Sequence, residues 1–379
     1  MSNKRPGLAL LLDSAPLTWT SQEDRHLLLC KELSRNGFQP VLIFSSQLNP
    51  EFEQRFLSAG AAVKTLSYQT GMLTFCRGLK KIFRDYNVIL VHIIFFDYFS
   101  LVAWLVRATG IKRIVYEMQN SGIFRATSWK RILLRARTAL MTVPMTQVIA
   151  ISEFVKEQLL KAGVPREKII VRYLGVDIHR FTPDAAAREA WRKEFALRPD
   201  EIILSTVSYL RPFKNPDLLV HACRELKARN LKARLFVAGD GEMLPQLKNL
   251  TRELDVNDYI YWLGNVADPK TLLQASDVFL LASTGEAFGL VLAEAMACGV
   301  PVVGSRSGSL PEVVKDGETG ILFTPYDFRG LADAIALLEK NPTLKRSMGK
   351  TSIDRVGQLF NVEQAVRETL TIYEKITQR

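Results

Sequence analysis

The segment from Ser283 to Pro301 combines a glycine-containing loop with two glutamates, a pattern that suits the binding of a phosphorylated ligand. A buried strand is predicted to end near Leu281, and a helix is predicted to begin near Gly289. The free amides between Phe288 and Val291 would meet a phosphate at the positive end of the helix dipole. The sequence therefore predicts an anion site at the carboxyl edge of a parallel sheet.

The glutamates of this segment, Glu286 and Glu294, are candidates for binding hydroxyl groups. Glu294 falls more than one turn into the predicted helix, where its carboxylate can accept hydrogen bonds from two vicinal hydroxyls such as those of a ribose. Glu286 precedes the helix, where it can bind hydroxyls of a sugar beyond the phosphates. Taken singly, each would more often be a solvated surface residue. Their combination with the phosphate loop favours binding.

A second cluster, Ser208 to Asn215, directly follows the first predicted strand of the C-terminal half and contains Arg211 and Lys214. Two cations at the carboxyl end of a sheet can neutralise a diphosphate, including the charge that grows on a departing nucleotide. An arginine and a lysine beside a proline are common on surfaces. A phosphate-binding role for this cluster is therefore supported only by its coincidence with the anion site predicted at the helix start. The turn from Gly239 to Glu242 lies on the same rim and is at least as well explained as a purely structural turn.

Short apolar runs alternate with longer helical patterns along the whole chain, which is typical of β-α units on a parallel sheet. A length of 379 residues exceeds what one core usually organises. In the first half, strands are predicted at Leu8–Leu12, Val41–Phe44, Val63–Leu66, Val88–Ile94, Arg113–Tyr116 and Gln147–Ile151. In the second half, they are predicted at Ile202–Val207, Leu235–Ala238, Tyr259–Leu263, Val278–Leu281, Val300–Val303 and Gly320–Phe323. The predicted architecture is α/β, with two doubly wound Rossmann-like domains.

The domain boundaries are predicted from where the β-α rhythm stops and restarts. Residues 1–180 form the first domain and residues 181–360 the second, after a connector that contains Pro183 and Pro199. Residues 361–379 are predicted as a helix that crosses back to the first domain. Two such domains facing a central cleft would bind a ligand between the carboxyl ends of their strands. A dinucleotide enzyme is not favoured, because no G-x-G-x-x-G follows the first strand.

These motifs resemble glycosyltransferase family 4, a group of retaining, nucleotide-sugar-dependent transferases with the GT-B fold. The resemblance extends over nearly the whole C-terminal half. It rests on Val207 to Asn215, Gly239 to Glu242, Leu263 to Val266, Ala275 to Val278, Glu286 to Pro301, Gly308, Pro311-Glu312, Asp316-Gly317 and Gly320. The segment from Tyr173 to Asp177 is similar to the sequence that precedes the domain linker in this family.

The resemblance implies roles for individual residues. Glu286 would contact the donor hexose, Glu294 the ribose, and the Asn265-Val266 turn the base. Lys214 would be the lysine of the phosphate loop, and it would act in catalysis together with Arg211 and Glu286. The donor-binding residues implied are Ser208, Gly241, Asn265, Val266, Glu286, Glu294 and, through their backbone amides, Phe288, Gly289 and Leu290.

Three positions depart from the family pattern. Tyr209 occupies the usual place of a phosphate-binding arginine, so that role is assigned to Arg211. Thr20-Ser21 stands where members often have two glycines ahead of the first helix. No histidine follows the fifth strand, because Glu117 to Asn120 occupy that region. These departures leave open the identity of the acceptor and the share of the first domain in catalysis.

The expected function is transfer of a hexosyl group from a UDP- or GDP-linked sugar to an acceptor hydroxyl, with retention of anomeric configuration. The acceptor would be a cell-envelope glycan, a glycolipid or a small molecule. No metal or other cofactor is expected, because cations and a helix terminus can do what a divalent ion does elsewhere, and no Asp-x-Asp is present. The alternative is a non-catalytic nucleotide-sugar-binding or regulatory subunit of the same fold.

The net charge of +11 is unevenly distributed. Residues 1–180 carry 25 Lys and Arg against 13 Asp and Glu, whereas residues 181–379 carry 25 against 26. A basic domain favours an anionic partner, such as a lipid headgroup surface or a phosphorylated acceptor. Nucleic acid is the least favoured partner, because no recognition motif or basic-aromatic interleaving is present.

Two dense basic clusters lie in the first half, Arg77-Lys80-Lys81-Arg84 and Lys130-Arg131-Arg135-Arg137. In the second cluster, apolar residues from Trp129 to Leu140 alternate with the charges at near-helical spacing. A basic amphipathic helix on a membrane surface has this pattern. An ordinary surface helix packed on a sheet fits it equally well.

Two further features concern location. The mostly apolar run from Val88 to Val106 approaches the length of a membrane span, but His92 and Asp97 interrupt it. A buried strand followed by an apolar-faced helix is therefore favoured. The four cysteines are far apart and form no C-x-x-C pair, as expected in a reducing cytoplasm. The sequence predicts a cytoplasmic protein that can bind the inner face of the membrane peripherally.

Overall fold

A computed structural model describes residues 5–13, 15–16, 18–120 and 130–378, apart from the side chains of residues 130 and 131. The chain divides into two compact units. Unit 1 consists of Met1–Gly175 and Val362–Arg379, and unit 2 consists of Val176–Asn361. Trp129, which the sequence places at the start of the second basic cluster, lies outside the described residues.

Each unit is built on one parallel sheet. The strands are β1 (Gly7–Leu12), β2 (Gln39–Phe44), β3 (Ala62–Thr65), β4 (Val88–Ile94), β5 (Ile114–Met118), β6 (Gln147–Ala150), β7 (Ile169–Val171), β8 (Ile202–Val207), β9 (Ala233–Ala238), β10 (Ile260–Gly264), β11 (Val278–Leu281), β12 (Val302–Ser305) and β13 (Gly320–Phe323). In the described part of the chain, the orders are β3-β2-β1-β4-β5-β6-β7 and β10-β9-β8-β11-β12-β13. Both orders reverse beside the first strand of their unit, which confirms the predicted doubly wound, Rossmann-like architecture.

Helices connect the strands and close the chain. They are α1 (Ser21–Arg35), α2 (Pro50–Ser58), α3 (Met72–Asp85), α4 (Val102–Ala108), α5 (Lys130–Thr142), α6 (Glu153–Ala162), α7 (Ala185–Glu194), α8 (Pro216–Ala228), α9 (Leu244–Glu253), α10 (Lys270–Ala275), α11 (Leu290–Ala297), α12 (Leu310–Val313), α13 (Phe328–Lys340), α14 (Pro342–Leu359) and α15 (Val362–Thr377). The last helix, α15, packs against α1 in unit 1. Buried apolar side chains of the strands and of these helices form the cores.

The predicted strands agree closely with the observed ones. β4, β8, β11 and β13 have the predicted bounds. The strand predicted at Val300–Val303 begins instead at Val302, because Pro301 has no N–H to donate to the ladder. β7 was missed, because its three half-buried residues are too few to show a period.

Helix starts follow local capping chemistry. Thr20 caps α1 in a reciprocal capping box, in which its hydroxyl accepts from the Gln22 amide and the Glu23 carboxylate accepts from the Thr20 amide at 2.9 Å. Thr20-Ser21 therefore starts the first helix with side-chain hydrogen bonds that a glycine pair could not supply. Ser152 caps α6 and Gly163 ends it in the left-handed conformation, as predicted.

A buried charge cluster joins α1, β4, β5 and α15 in unit 1. Glu117 in β5 accepts from both terminal nitrogens of Arg25, at 3.0 and 2.8 Å, and from Arg172 after β7. The His92 ring in β4 lies with Nε2 3.6 Å from the Glu117 carboxylate and with Nδ1 2.6 Å from the Tyr373 hydroxyl in α15. Removing one ionic partner would leave an unpaired buried charge, which costs about 3–5 kcal/mol.

Burial controls the ionisation of this cluster. Burial alone would raise the pKa of Glu117, but the Arg172 and Arg25 guanidiniums outweigh burial and hold that pKa well below its usual range. Burial lowers the pKa of His92 to about 3. Burial also lowers the pKa of His26 well below its usual value, and the neighbouring Arg25 charge lowers it further. Both histidines are therefore neutral near pH 7.

Candidate functional site

The candidate site lies at the carboxyl edge of the unit 2 sheet, where the strand order reverses. β8 is flanked by β9 and β11, so the connections that leave β8 and β11 run to opposite sides of the sheet. Loops at such a switch point diverge and leave a crevice for a ligand. The loop after β8 carries Ser208 to Asn215, and the loop after β11 carries Ser283 to Gly289.

Hydrogen bonds join these two loops directly. The first loop forms a 3-10 turn at Pro212–Lys214, and Asn215 then adopts the left-handed conformation with φ 47°. The Asn215 side-chain amide donates to the Ala282 carbonyl at 3.1 Å. The Thr284 amide donates to the Phe213 carbonyl at 2.9 Å. The two loops therefore form one frame, in which the position of one sets the position of the other.

This frame brings together Lys214 and Glu286, which are 72 positions apart in the sequence. The Lys214 ammonium donates to Oε1 of Glu286. The two side chains are 18% and 13% exposed, so both can reach a ligand while much of each is shielded from water. Charges in such a place interact more strongly than charges on an open surface. The pair offers a cation for a phosphate and an acceptor for sugar hydroxyls.

The backbone of Glu286 is held from the other side by the turn after β12. The Ser309 amide and hydroxyl both donate to the Glu286 carbonyl, at 3.0 and 3.1 Å. Gly308 has φ +61°, and a Cβ at this position would lie 2.5 Å from the Glu286 carbonyl oxygen. Glycine alone accepts both the conformation and the close approach. The Gly308-Ser309 turn therefore positions the backbone of Glu286.

Helix α11 begins where the sequence predicts it. Gly289 precedes the helix with φ 86°, and a Cβ there would lie 2.8 Å from the Leu310 side chain. The Phe288 ring is buried and packs edge-on against Phe360, with 5.4 Å between ring centroids. The ring is thus part of the core, which leaves the backbone amides as the groups of this loop that can meet an anion.

Glu294 lies inside α11 and is 5% exposed. Cys298 lies four residues further along, and burial together with the Glu294 charge raises the pKa of its thiol to about 12. The low exposure of Glu294 limits the competition of water for any hydroxyl group that its carboxylate binds.

Arg211 lies on the same loop as Lys214 but in a different environment. Its guanidinium stacks on the Tyr209 ring, 4.5 Å from the ring centroid, and both residues are exposed. Within the described residues, no hydrogen bond or ion pair joins the Arg211 side chain to Lys214 or Glu286. The predicted second cation therefore lies at the rim, held by an aromatic neighbour.

The remaining predicted residues lie along the same edge of the sheet. Ser208 directly follows β8. Gly241 belongs to the turn after β9, and a Cβ there would lie 2.5 Å from the Leu210 carbonyl, so this turn packs against the Lys214 loop. Asn265 and Val266 follow β10 at the edge of the sheet, with Asn265 exposed.

Sequence reasoning missed the supporting role of three residues, Asn215, Gly308 and Ser309. An asparagine before a proline at a helix start is a local signal for a turn, and it could have indicated the conformation of Asn215. Ser309 carried no such signal, because its partner Glu286 lies 23 positions earlier on another strand connection.

Two features are absent from the described part of the chain. No group of three or more His, Cys, Asp or Glu side chains there is arranged to hold a metal ion. No helix there is both long enough and apolar enough to cross a bilayer.

Two family models match the chain in succession. The model described as Glycosyltransferase Family 4 matches residues 25–180. The model described as Glycosyl transferases group 1 matches residues 187–355. The candidate site, from Ser208 to Ser309, lies within the second match.

Known proteins share the sequence in part and the fold more fully. N-acetyl-alpha-D-glucosaminyl L-malate synthase of Bacillus anthracis is 37% identical over 182 residues, 48% of each protein, so the chain spans about half the length of that relative. GDP-mannose-dependent alpha-(1-6)-phosphatidylinositol monomannoside mannosyltransferase of Mycolicibacterium smegmatis is 30% identical over 263 residues, 66% of this chain and 67% of the relative. The structure of Anabaena HepE in complex with UDP matches with a TM-score of 0.82 at 20% identity, over 97% of this chain and 100% of that one, which is a likeness of fold.

Proposed function

The chain belongs to glycosyltransferase family 4, and on this premise we propose that it transfers a hexosyl group from a nucleotide diphosphate sugar to an acceptor hydroxyl. The donor would bind at the carboxyl edge of the unit 2 sheet. Both candidate bases have support among similar proteins, because the mycobacterial relative is named for GDP-mannose and the Anabaena structure holds UDP. The acceptor would be a cell-envelope glycan, a glycolipid or a small molecule.

The observation that carries this proposal is the contact between the Lys214 ammonium and the Glu286 carboxylate at the reversal of strand order. In the donor complex, Lys214 would bind the diphosphate and Glu286 would bind hydroxyls of the hexose. The contact between Lys214 and Glu286 would then be replaced by two contacts with the donor. The amides at the start of α11 would bind a phosphate. Glu294 would bind the ribose, and Arg211 would add a second cation at the rim.

The proposed reaction retains the configuration of the anomeric carbon. The bond from that carbon to the β-phosphate oxygen breaks, and a bond to the acceptor oxygen forms on the same face. The acceptor proton passes to the departing phosphate oxygen, and the products are a glycoside and a nucleoside diphosphate. Lys214 and the helix terminus would stabilise the negative charge that grows on the phosphate. They would serve here in place of a divalent metal ion.

A donor screen tests this proposal. The protein is incubated with UDP- and GDP-linked hexoses, and release of nucleoside diphosphate is measured with and without a chelator. We expect hydrolysis of at least one donor at the same rate in both conditions. Activity that the chelator abolishes and magnesium restores would refute the metal-independent mechanism. Donor binding by calorimetry without hydrolysis or transfer would identify a non-catalytic nucleotide-sugar-binding subunit instead.

We also propose that unit 1 contacts an anionic membrane peripherally on the cytoplasmic side. The excess of cations in the first half of the sequence supports this contact. The mycobacterial relative is named for phosphatidylinositol monomannoside, a lipid. A membrane contact would bring the enzyme to an acceptor of that class.

A further inference from the structure

Exposed apolar side chains of unit 1 are concentrated on three consecutive helices. In the described part of unit 1, eight large apolar side chains are exposed, and seven of them lie on or beside α3, α4 and α5. These seven are Met72, Leu73, Leu101, Ile132, Leu133, Leu140 and Val143. Single exposed apolar residues need no explanation, but a concentration on one surface indicates an interaction site.

These three helices form one continuous layer, whose outer surface we call the α3–α5 face. β4, β5 and β6 follow one another across the sheet, so right-handed connections place the three helices on the same side. The Cys76 thiol in α3 lies 3.8 Å from the Leu105 carbonyl in α4. The Arg137 guanidinium in α5 lies 4.3 Å from the centroid of the Phe99 ring, just before α4. The apolar residues and the neighbouring cations therefore belong to one surface.

Four exposed cations form a stripe along the outer side of α3. Their spacing of i, i+3, i+4 and i+7 places them on one side of the helix: Arg77, Lys80, Lys81 and Arg84. Among the described residues, their ion-pair partner is Asp85, 3.7 Å from Nε of Arg84. Like charges at this spacing destabilise a helix. An anionic partner that neutralises the stripe would remove this repulsion.

The same stripe borders a surface groove of about 550 Å³. The segment Thr109 to Ile111, which follows α4, also lines the groove, together with the apolar residues Phe83 and Val88. The groove therefore has a basic wall and a partly apolar lining. A phosphate linked to a hydrophobic group has matching chemistry.

The described cations of α5 are placed differently from those of α3. Arg137 is stacked on the Phe99 ring, and Nε of Arg135 donates to the Lys161 carbonyl at 3.4 Å. The side chains of Lys130 and Arg131 lie outside the described residues. The outer side of α5 instead presents large apolar groups, with Ile132 74% exposed and Leu133 63% exposed.

We infer that the α3–α5 face docks on a bilayer, with α3 binding the phosphates of anionic lipid headgroups and α5 inserting apolar side chains at the interface. This inference rests on the membrane contact proposed above. It assigns the binding of anionic headgroups to the basic cluster of α3, whereas the sequence pattern had indicated the basic cluster of α5. Cations beside apolar groups on one helical surface are what interfacial binding requires. A nucleic acid would leave the seven apolar side chains without partners.

Vesicle sedimentation of the full chain tests this division of roles. The probes are phosphatidylcholine vesicles with and without phosphatidylglycerol, at low and raised salt. The α3 variant is R77Q/K80Q/K81Q/R84Q, and the α5 variant is I132S/L133S. The matched control, K248Q/K340Q/R346Q/K350Q, removes the same charge from exposed positions of unit 2. Circular dichroism and donor hydrolysis verify that each variant is folded and that the donor site is intact.

The parent should bind vesicles that contain phosphatidylglycerol and should be released by salt. Each cation near the surface contributes about fivefold in partition, so the α3 variant should lose roughly several hundredfold. The matched control should change little. The α5 variant should bind more weakly while keeping its salt dependence.

Three results would overturn the docking surface. They are parental binding by the α3 variant, an equal loss in the matched control, or a parent that binds duplex DNA but no anionic vesicle. Each of them leaves donor hydrolysis as a separate readout, so a failure of docking is distinguishable from a failure of the proposed transferase activity.

Discussion

Replacement of Gly308 by alanine tests whether the turn after β12 positions Glu286. The new Cβ would lie 2.5 Å from the Glu286 carbonyl oxygen and 2.8 Å from its nitrogen, so the turn or the Glu286 loop must move by about 1 Å to restore ordinary contact. A misplacement of about 1 Å at a reacting group typically costs about 100-fold in rate. We therefore expect Gly308→Ala to lower turnover about 100-fold.

Gly317 provides a matched control for this experiment. It also has a positive φ, of +79°, but a Cβ there would meet nothing within 4 Å. Gly317→Ala should therefore lose about 1 kcal/mol of stability from backbone strain, about 3 °C in Tm, without a change in turnover. Gly308→Ala should lose stability from the same backbone strain and from the clash with Glu286, and it should also lose turnover. Thermal unfolding and donor hydrolysis at saturating donor measure the two effects, and equal turnover in both variants would refute the positioning role.

The remaining predictions concern the donor site and the buried histidines. Glu294→Gln should weaken nucleotide-sugar binding about tenfold, because a hydroxyl contact to a charged group is worth about 1.5–3 kcal/mol, and calorimetry that shows parental affinity would exclude the ribose contact. Lys214→Ala should lower turnover about 100-fold with a smaller effect on donor affinity, because the leaving-group charge is largest in the transition state, and parental turnover at saturating donor would rule out this role. His92 and His26 have lowered pKa values in the folded state, so the unfolded chain takes up protons first as the pH falls below about 6.5. The free energy of unfolding of the parent, measured with denaturant, should therefore fall by about 1.4 kcal/mol per pH unit for each histidine below that pH. His92→Asn should reduce the slope of this free energy against pH, and an unchanged slope would contradict the buried neutral state of His92.

The sequence determined the local structure and the class of chemistry. Alternating apolar runs predicted the strands of both sheets, because buried parallel strands and the helices between them have different periods. The loop before α11 and its flanking glutamates, Glu286 and Glu294, could be predicted as a candidate anion site because a strand end, a loop and a helix start are made of consecutive residues. β7 was missed for the corresponding reason, since three residues carry no period.

The tertiary structure decided which of these local pieces meet. Lys214 contacts Glu286 across 72 positions because β8 and β11 are neighbours in the sheet, and strand order is a property of the whole unit rather than of either loop. Two further contacts could not be predicted from residue spacing. They are the hydrogen bond from Ser309 to the Glu286 carbonyl and the stacking of Arg211 on Tyr209. On the α3–α5 face, the sequence located both basic clusters. Only packing could show that, among the described residues, the α3 cations have Asp85 as their ion-pair partner, whereas Arg137 of α5 is stacked on an aromatic ring. Local patterns depend on neighbours along the chain, whereas contacts, burial and charge compensation depend on neighbours in space.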